Sequence, residues 1–130
     1  MAGLSDYAEN AILDHIVGKT SFTMPSVWVG LYTATPSDAG GGTECTGGSY
    51  ARKSTAGSDW AVAASGATSN AAVITFVTPT GSWGTASHFG LFDASTAGNL
   101  LGWAALTTPQ AIGTGHTVSF AIGDLDLTLD

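Results

Sequence analysis

The sequence predicts a mostly β fold, a single-domain β-sandwich (jelly-roll-like or immunoglobulin-like) with one N-terminal α-helix. Three observations predict it. One amphipathic segment near the N-terminus has the helical period, the later segments alternate apolar and polar residues, and Gly and Pro separate these short runs. A chain of 130 residues has room for one domain. We therefore predict one domain over residues 1–130, with the helix at 5–17 and the sandwich at 27–130.

The helix is predicted from its ends and its apolar stripe. Ser5 can cap the first turn, and Gly18 stands where a helix C-terminus favours glycine. Ile12 and Ile16 are four residues apart, so they lie on one face together with other apolar side chains. We expect this face to cover the domain's own sheet, and a contact with another chain is the alternative.

The strands are predicted from period-two alternation. Val27, Val29 and Leu31 alternate with other residues after Pro25 and form the first strand. Further strands are predicted at residues 50–53, 73–77, 87–92, 100–106, 118–122 and 125–129, and residues 55–70 are predicted to be loop. The predicted core consists of Val27, Val29, Leu31, Ile74, Phe76, Leu91, Val118, Phe120, Leu125 and Leu127.

One short segment occurs twice in similar form. Residues 30–34 read GLYTA, and residues 90–94 read GLFDA. The two copies are either equivalent strands on paired sheets or a chance similarity in a chain of biased composition. The spacing is too long for a solenoid repeat.

A glycine-rich tract at residues 36–48 is too long to be an idle connection in a compact domain. Ordering its backbone costs roughly 1–2 kcal/mol per residue, so a rigid tract needs a surface that returns this free energy. We expect a neighbouring subunit to supply that surface. The residues predicted to make assembly contacts are Pro36, Gly40, Gly41, Gly42, Glu44, Cys45, Trp83, Ile12 and Ile16.

The few charged residues of the chain restrict the classes of partner that it can bind. The formal net charge is −7, and the permanent cations are Lys19, Arg52 and Lys53, too few for a nucleic-acid footprint. No apolar run is long enough to span a membrane, and the N-terminus does not resemble a signal peptide, so we expect synthesis in the cytoplasm. Because only 10% of residues are charged, removing water from the surface at a contact with a neighbouring subunit costs little free energy.

No cluster of catalytic or metal-binding residues is visible in the sequence. His15, His88, His116 and Cys45 are scattered, without the spacing that would place two ligands on one face. Ser49 follows two glycines and lacks the preceding strand of a nucleophile elbow. We therefore expect no enzymatic activity, no cofactor and no bound metal.

The aromatic side chains leave two interpretations open. Flat rings could line a sugar-binding surface, and the same rings could fill a β core. Trp83 lies in a turn flanked by glycines, so we expect it to be the most exposed aromatic contact. The tryptophans and other rings considered are Trp28, Trp60, Trp83, Trp103, Tyr32, Tyr50 and Phe89.

Several strings of residues resemble a known family. They are LSDYAEN at 4–10, VGLYTATPSDAGGGTE at 29–44, GGSYAR at 47–52 and HFGLFD at 88–93. Together they are similar to short virion proteins of tailed bacteriophages that usually carry the label "phage tail fibre protein". In these proteins aliphatic residues usually occupy the positions of Cys45 and Lys53, and Cys45 therefore suggests a thiol contact between subunits.

The resemblance implies a structural component of a phage particle, either a tail fibre or appendage subunit or a head decoration or cement subunit. Such a protein would be located in the virion and would contact other virion proteins and copies of itself. The alternative is a receptor- or glycan-binding tip module that touches a host-surface glycan. An enzyme such as a small depolymerase is the third possibility.

Overall fold

An antiparallel sheet forms the centre of the protein in a computed structural model that describes residues 3–129. Along this part of the chain the elements are β1 (Gly3–Leu4), α1 (Asp6–Ile16), β2 (Trp28–Ala34), β3 (Thr43–Glu44), β4 (Lys53–Ser54), a 3₁₀ turn (Gly57–Asp59), β5 (Ala67–Ser69), β6 (Ile74–Thr75), β7 (Gly84–Phe92), β8 (Leu100–Ile112), β9 (Ser119–Phe120) and β10 (Asp126–Thr128). The main sheet has six strands in the order β1-β8-β7-β2-β3, and β4 also pairs with β2.

Two pairs of short strands, β5 with β10 and β6 with β9, form a second layer on one face of the main sheet. Phe89 of β7 contacts Phe120 of β9 with ring centroids 6.0 Å apart. A Cβ on Gly102 of β8 would lie 3.0 Å from a methyl carbon of Leu127 in β10. The predicted fold class is thereby confirmed: a mostly β sandwich with one N-terminal helix.

The core lies between the two layers. Val29 is opposite Leu91, and Leu31 is opposite Phe89, so alternate residues of β2 and β7 face the second layer. All four are buried, as are Ile74, Phe76 and Leu125 from the second layer. Six of the predicted core residues are therefore buried (Val29, Leu31, Ile74, Phe76, Leu91 and Leu125), while Val27, Val118, Phe120 and Leu127 are half-buried and pack against them.

Trp83 and Cys45 also belong to this core. Trp83 is 2% exposed, donates a hydrogen bond from Nε1 to the carbonyl oxygen of Gly48 at 2.8 Å, and meets the ring of Tyr50 edge-on. The prediction that Trp83 is an exposed contact is therefore wrong. Its indole has an acceptor for its only polar hydrogen, so the whole side chain can be buried.

The repeated segments 30–34 and 90–94 lie next to each other in one sheet, with Gly30 directly opposite Gly90. A Cβ on Gly30 would come within 2.8 Å of the Phe92 ring, and one on Gly90 would come equally close to the Tyr32 ring. The two glycines therefore leave room for Tyr32 and Phe92, whose rings stack with centroids 6.0 Å apart on the face away from the core.

The helix α1 is held mainly at its first turn. Ser5 Oγ accepts a hydrogen bond from the Ala8 amide at 3.2 Å and donates one to the Leu100 carbonyl, and the Ser5 amide donates to the Leu101 carbonyl at 2.9 Å. Ala8 is the buried residue of the helix. The expectation that the apolar face covers the domain's own sheet is therefore wrong for most of the helix.

Several strand predictions differ from the structure. The segment 55–70, predicted to be loop, contains the 3₁₀ turn and β5. The strand predicted at 118–122 is only two residues long, whereas the one predicted at 100–106 continues to Ile112 across a register shift. Pro109 is tolerated within β8 because β8 pairs with β1 only at Gly102 and Trp103, which leaves the rest of that side unpaired by any strand in residues 3–129.

In the described part of the chain, no helix has the length and apolar character needed to cross a membrane.

We expect Asn70→Ala to destabilise the fold by about 2–3 kcal/mol, because Asn70 joins three backbone groups of the second layer. Its side chain is fully buried, donates to the carbonyls of Ala72 and Ala121 and accepts from the amide of Leu125, each at 2.9 Å. Urea unfolding measures the change. The control is Asn10→Ala on the exposed face of α1, which should leave stability within about 0.5 kcal/mol. Equal effects of the two substitutions would contradict the prediction.

Candidate functional site: the glycine-rich tract and the N-terminal helix

The glycine-rich tract folds into a tight turn followed by a run of left-handed glycines. Ser37 and Gly40 exchange backbone hydrogen bonds of 2.8 Å in both directions. Gly40, Gly41 and Gly42 all have positive φ angles, of 102°, 78° and 74°. At Gly42 a Cβ would also come within 2.8 Å of the Ala34 carbonyl oxygen, so only glycine fits there.

The tract is attached to the rest of its own chain. The carbonyl of Asp38 accepts a hydrogen bond from the Asp6 amide at 2.9 Å, and its carboxylate accepts one from Trp103 Nε1 at 3.0 Å. The Cys45 amide donates to the Leu31 carbonyl at 2.8 Å. These contacts return part of the free energy that ordering the tract costs, so its conformation does not require a neighbouring subunit. That a neighbour contacts the tract stays a prediction.

Arg52 clamps two loops together. Its Nε and Nη2 donate to the two carboxylate oxygens of Glu44 at 2.9 and 2.8 Å, and Nη1 donates to the carbonyls of Ala94 and Ala97 at 2.8 and 2.9 Å. The guanidinium carbon lies 3.5 Å from the centre of the Phe92 ring. Because the Arg52 side chain is only 6% exposed, these contacts are shielded from water.

Tyr50 also binds the Glu44 carboxylate that Arg52 contacts. Its hydroxyl donates to Glu44 Oε2 at 2.7 Å and accepts from the Leu31 amide at 3.0 Å. Burial raises the pKa of Tyr50 far above its ordinary value, and the Glu44 carboxylate raises it further, so the hydroxyl keeps its proton. The Glu44 carboxylate thus connects the tract to Arg52 directly and to β2 through the Tyr50 hydroxyl.

A cleft of about 610 Å³ opens between the tract, the first turn of α1 and the loop before β8. Its lining includes the buried residues Tyr32 and Phe92 and the half-buried residues Arg52 and Glu44. The other lining residues are Asp6, Tyr7, Asp38, Ala39, Gly40, Gly41, Ala97, Gly98, Asn99 and Leu100. The cleft lies on the face of the sheet that is not covered by the second layer.

Tyr32 lines this cleft and has no internal hydrogen-bond partner for its hydroxyl. The residue is 4% exposed, and the hydroxyl is open to solvent, because no side-chain N or O atom sealed from solvent lacks a partner among residues 3–129. Burial raises the pKa of Tyr32, with a further contribution from Glu44 that Arg52 partly opposes. The phenol is therefore neutral at physiological pH and can donate or accept a hydrogen bond.

The apolar stripe of α1 is largely uncovered. Leu13, Ile16 and the C-cap residue Val17 are 58%, 70% and 73% exposed, and Leu13 adjoins the other two because it precedes them by three and four residues. Ile12 is half-buried beside them. The stripe is therefore an exposed apolar surface at the C-terminal end of the helix, whose first turn is joined to the glycine-rich tract by the hydrogen bond from the Asp6 amide to the Asp38 carbonyl.

The predicted assembly residues occupy different environments. Gly41, Gly42 and Ile16 are exposed, and Gly40, Glu44 and Ile12 are half-buried. Pro36, Cys45 and Trp83 are buried, so these three support the surface from beneath rather than form contacts. The suggested thiol contact between subunits is wrong for the same reason: Cys45 is 1% exposed, and burial raises its pKa to about 11.

Sequence reasoning missed the structural roles of Arg52 and Asp38, and it considered Tyr32 only as one of several rings that could line a ligand surface or fill the core. One signal was available, because an arginine in a chain with so few cations usually has a specific anionic partner. The two carbonyls that Arg52 binds, both in the loop between β7 and β8, are 42 and 45 residues away along the chain, so their identity required the structure. Within residues 3–129, no three His, Cys, Asp or Glu side chains converge as metal ligands would.

The fold and these surfaces define a small β-sandwich protein with an uncovered helix stripe and a loop network held by one buried arginine. The family described as Podophage GP4 fiber I protein gp80 matches residues 3–128, so the chain belongs to this family of phage fibre proteins. It is thus a structural phage protein of the virion that assembles with other virion proteins. No curated protein matches the chain.

We expect Arg52→Lys to lower the free energy of unfolding by about 2–3 kcal/mol, because an ammonium cannot make the two-pronged contact with Glu44 and also reach both loop carbonyls. Chemical denaturation measures the change. The control is the reverse exchange at the adjacent exposed residue, Lys53→Arg, which should change stability by less than about 0.5 kcal/mol. If lysine at position 52 is tolerated equally well, Arg52 does not hold the loops.

We expect Cys45 to be inert toward a thiol reagent in the folded protein at pH 8. With a pKa of about 11, roughly one thiol in a thousand is ionised at that pH, and the side chain is buried. Labelling should therefore occur only when the protein unfolds, and oxidation should produce no disulfide-linked dimer. Rapid labelling in the absence of denaturant would show that Cys45 is accessible.

Proposed function

We propose that this protein is a non-enzymatic fibre subunit that works as one of several copies, and that the apolar stripe of α1 is a contact between subunits. The observation that supports the proposal is the exposure of Leu13, Ile16 and Val17 on the protein's own surface. Exposed apolar side chains that adjoin one another mark interaction sites in proteins that otherwise keep such groups inside.

The energetics favour an apolar contact at this place. Burial of one large aliphatic side chain contributes roughly 1.5–3 kcal/mol, so three of them supply much of the free energy that holds a modest interface. Only 10% of the residues are charged, so a neighbour meets few groups that are expensive to desolvate. A copy of the same chain is the partner we propose, because repeated identical contacts build closed assemblies without further components.

The family supports a proposal for the position of the subunit in the particle. Membership of a fibre family supports a fibre or appendage role over a head decoration or cement role. Membership of a fibre family also supports a role without chemistry, since the family is described by a structural part of the particle.

We expect Ile16→Gln to weaken self-association about tenfold or more, because it removes an apolar group from the proposed contact. The matched control is Ile122→Gln, since Ile122 is 65% exposed against 70% for Ile16 but lies in a turn between β9 and β10. Analytical ultracentrifugation of the isolated protein measures association, and quantitative mass spectrometry of purified particles measures copy number.

Both measurements should fall for the Ile16 variant and remain at wild-type values for the Ile122 variant. Thermal unfolding should be unchanged in both, because neither side chain is buried within its own chain. If the Ile16 variant associates and enters particles as the wild type does, the helix stripe is not the contact.

A further inference from the structure

We propose that two copies of the chain pair their α1 helices antiparallel about a two-fold axis, with Glu9 of each copy facing Lys19 of the other. This inference rests on the proposed subunit contact and adds the surface that receives the stripe, which is the same helix of the second copy. It is carried by the order of side chains along the uncovered face of α1. This face has an acidic N-terminal half and an apolar C-terminal half, and a lysine follows directly after the helix end.

Glu9 lies on the same face of α1 as the apolar stripe. It precedes Leu13 by four residues, and Leu13 in turn precedes Ile16 and Val17 by three and four residues. All four side chains are exposed, and Glu9 forms no ion pair or side-chain hydrogen bond within residues 3–129. A partner that covers the apolar half of this face therefore also lies close to an uncommitted carboxylate.

Lys19 stands at the other end of the face. The C-cap of the helix is Val17, and Gly18 has a positive φ of 77°, which turns the chain out of the helix. The Lys19 amide donates to the Asp14 carbonyl at 2.8 Å, so its backbone is held against the last turn. The Lys19 side chain is exposed and has no ion pair in the described part of the chain. Because Glu9 is roughly 15 Å away along the helix, the two charges cannot pair within one chain.

An antiparallel pair matches both halves of the face. With the two-fold axis between positions 14 and 15, Leu13 of each copy meets Ile16 of the other, so apolar side chains cover one another at the centre. The same register brings Lys19 of one copy within one residue of the position opposite Glu9 of the other. Two ion pairs therefore flank the apolar centre, and the opposed helix dipoles add a further favourable interaction.

The charges disfavour the parallel arrangement of two identical helices. In a parallel pair each Glu9 would face its equivalent in the other copy, and so would each Lys19, so like charges would meet at both ends. Exposed ion pairs contribute little free energy, so the apolar centre holds the pair and the charges select its direction. Because an 11-residue helix is roughly 16 Å long, the contact is small, and the dimer of the isolated protein should be weak.

The proposal is tested by sedimentation equilibrium of charge-reversed variants of the full chain over a wide range of concentrations. Lys19→Glu and Glu9→Lys should each weaken self-association about tenfold, because each turns the two attractive contacts of a dimer into repulsive ones. The matched controls are Lys53→Glu and Asp126→Lys, which reverse the charge of exposed residues in β4 and β10 and should leave association unchanged. Circular dichroism shows whether each variant keeps its helix.

A mixture of the two variants provides the sharpest measurement. A pair made of one Lys19→Glu chain and one Glu9→Lys chain has opposite charges facing each other at both ends, so the mixture should associate about as tightly as the wild type. Isotopic labelling of one variant and native mass spectrometry should find one copy of each in the dimer. Raising the ionic strength should weaken the wild-type dimer and strengthen association of either variant alone.

The two-fold pair is overturned if Lys19→Glu associates as the wild type does, if Lys53→Glu weakens association to the same extent, or if the mixture stays as weak as its components. If Ile16→Gln nevertheless weakens association, the stripe contacts a different surface, and the proposed subunit role stands without the two-fold pair. If the wild type stays monomeric at every concentration, or if Ile16→Gln has no effect, the subunit contact itself is wrong.

Discussion

The contact between Arg52 and Glu44 is the interaction on which the outer face of the main sheet depends. Glu44 belongs to β3, the short strand within the glycine-rich tract, and Arg52 also holds the loop between β7 and β8 through two carbonyls. Without it, a buried guanidinium or a half-buried carboxylate would be left without a partner, which is strongly unfavourable. The pair therefore keeps two loops at a fixed separation, and the cleft between them has a defined shape.

Small residues make this arrangement possible. Gly30 and Gly90 are opposite each other in the sheet, and the absent side chains leave the volume that Phe92 and Tyr32 occupy. Arg52 then lies on the Phe92 ring, and Glu44 reaches over Gly30 to meet it. Two neighbouring strands with related sequences thus create one recess on the face away from the core. The other face of the same strands, with Val29 and its neighbours, is packed in the usual way.

The two faces of the protein perform different tasks. Between the layers, apolar side chains supply the free energy of folding. On the outer face, the helix is attached through Ser5 and Ala8 at its first turn, while its later turns keep an apolar stripe exposed. In a fibre protein such a surface is suited to contact with a neighbouring subunit, and the sparse charge of the chain lowers the cost of that contact.

The sequence by itself determined the fold class, the helix and the six fully buried members of the predicted core, because alternation and capping are local patterns that depend on neighbouring residues. It also carried the resemblance to phage fibre proteins. Only the tertiary structure decided that Trp83 is buried, that the apolar stripe of α1 is exposed, and that Arg52 holds a loop more than forty residues away. Each of these features depends on contacts between segments that are distant in the sequence. A local sequence pattern does not specify such contacts. The sequence showed that rings and carboxylates were present, and the folded chain alone placed Tyr32 and Asp38 around one cleft.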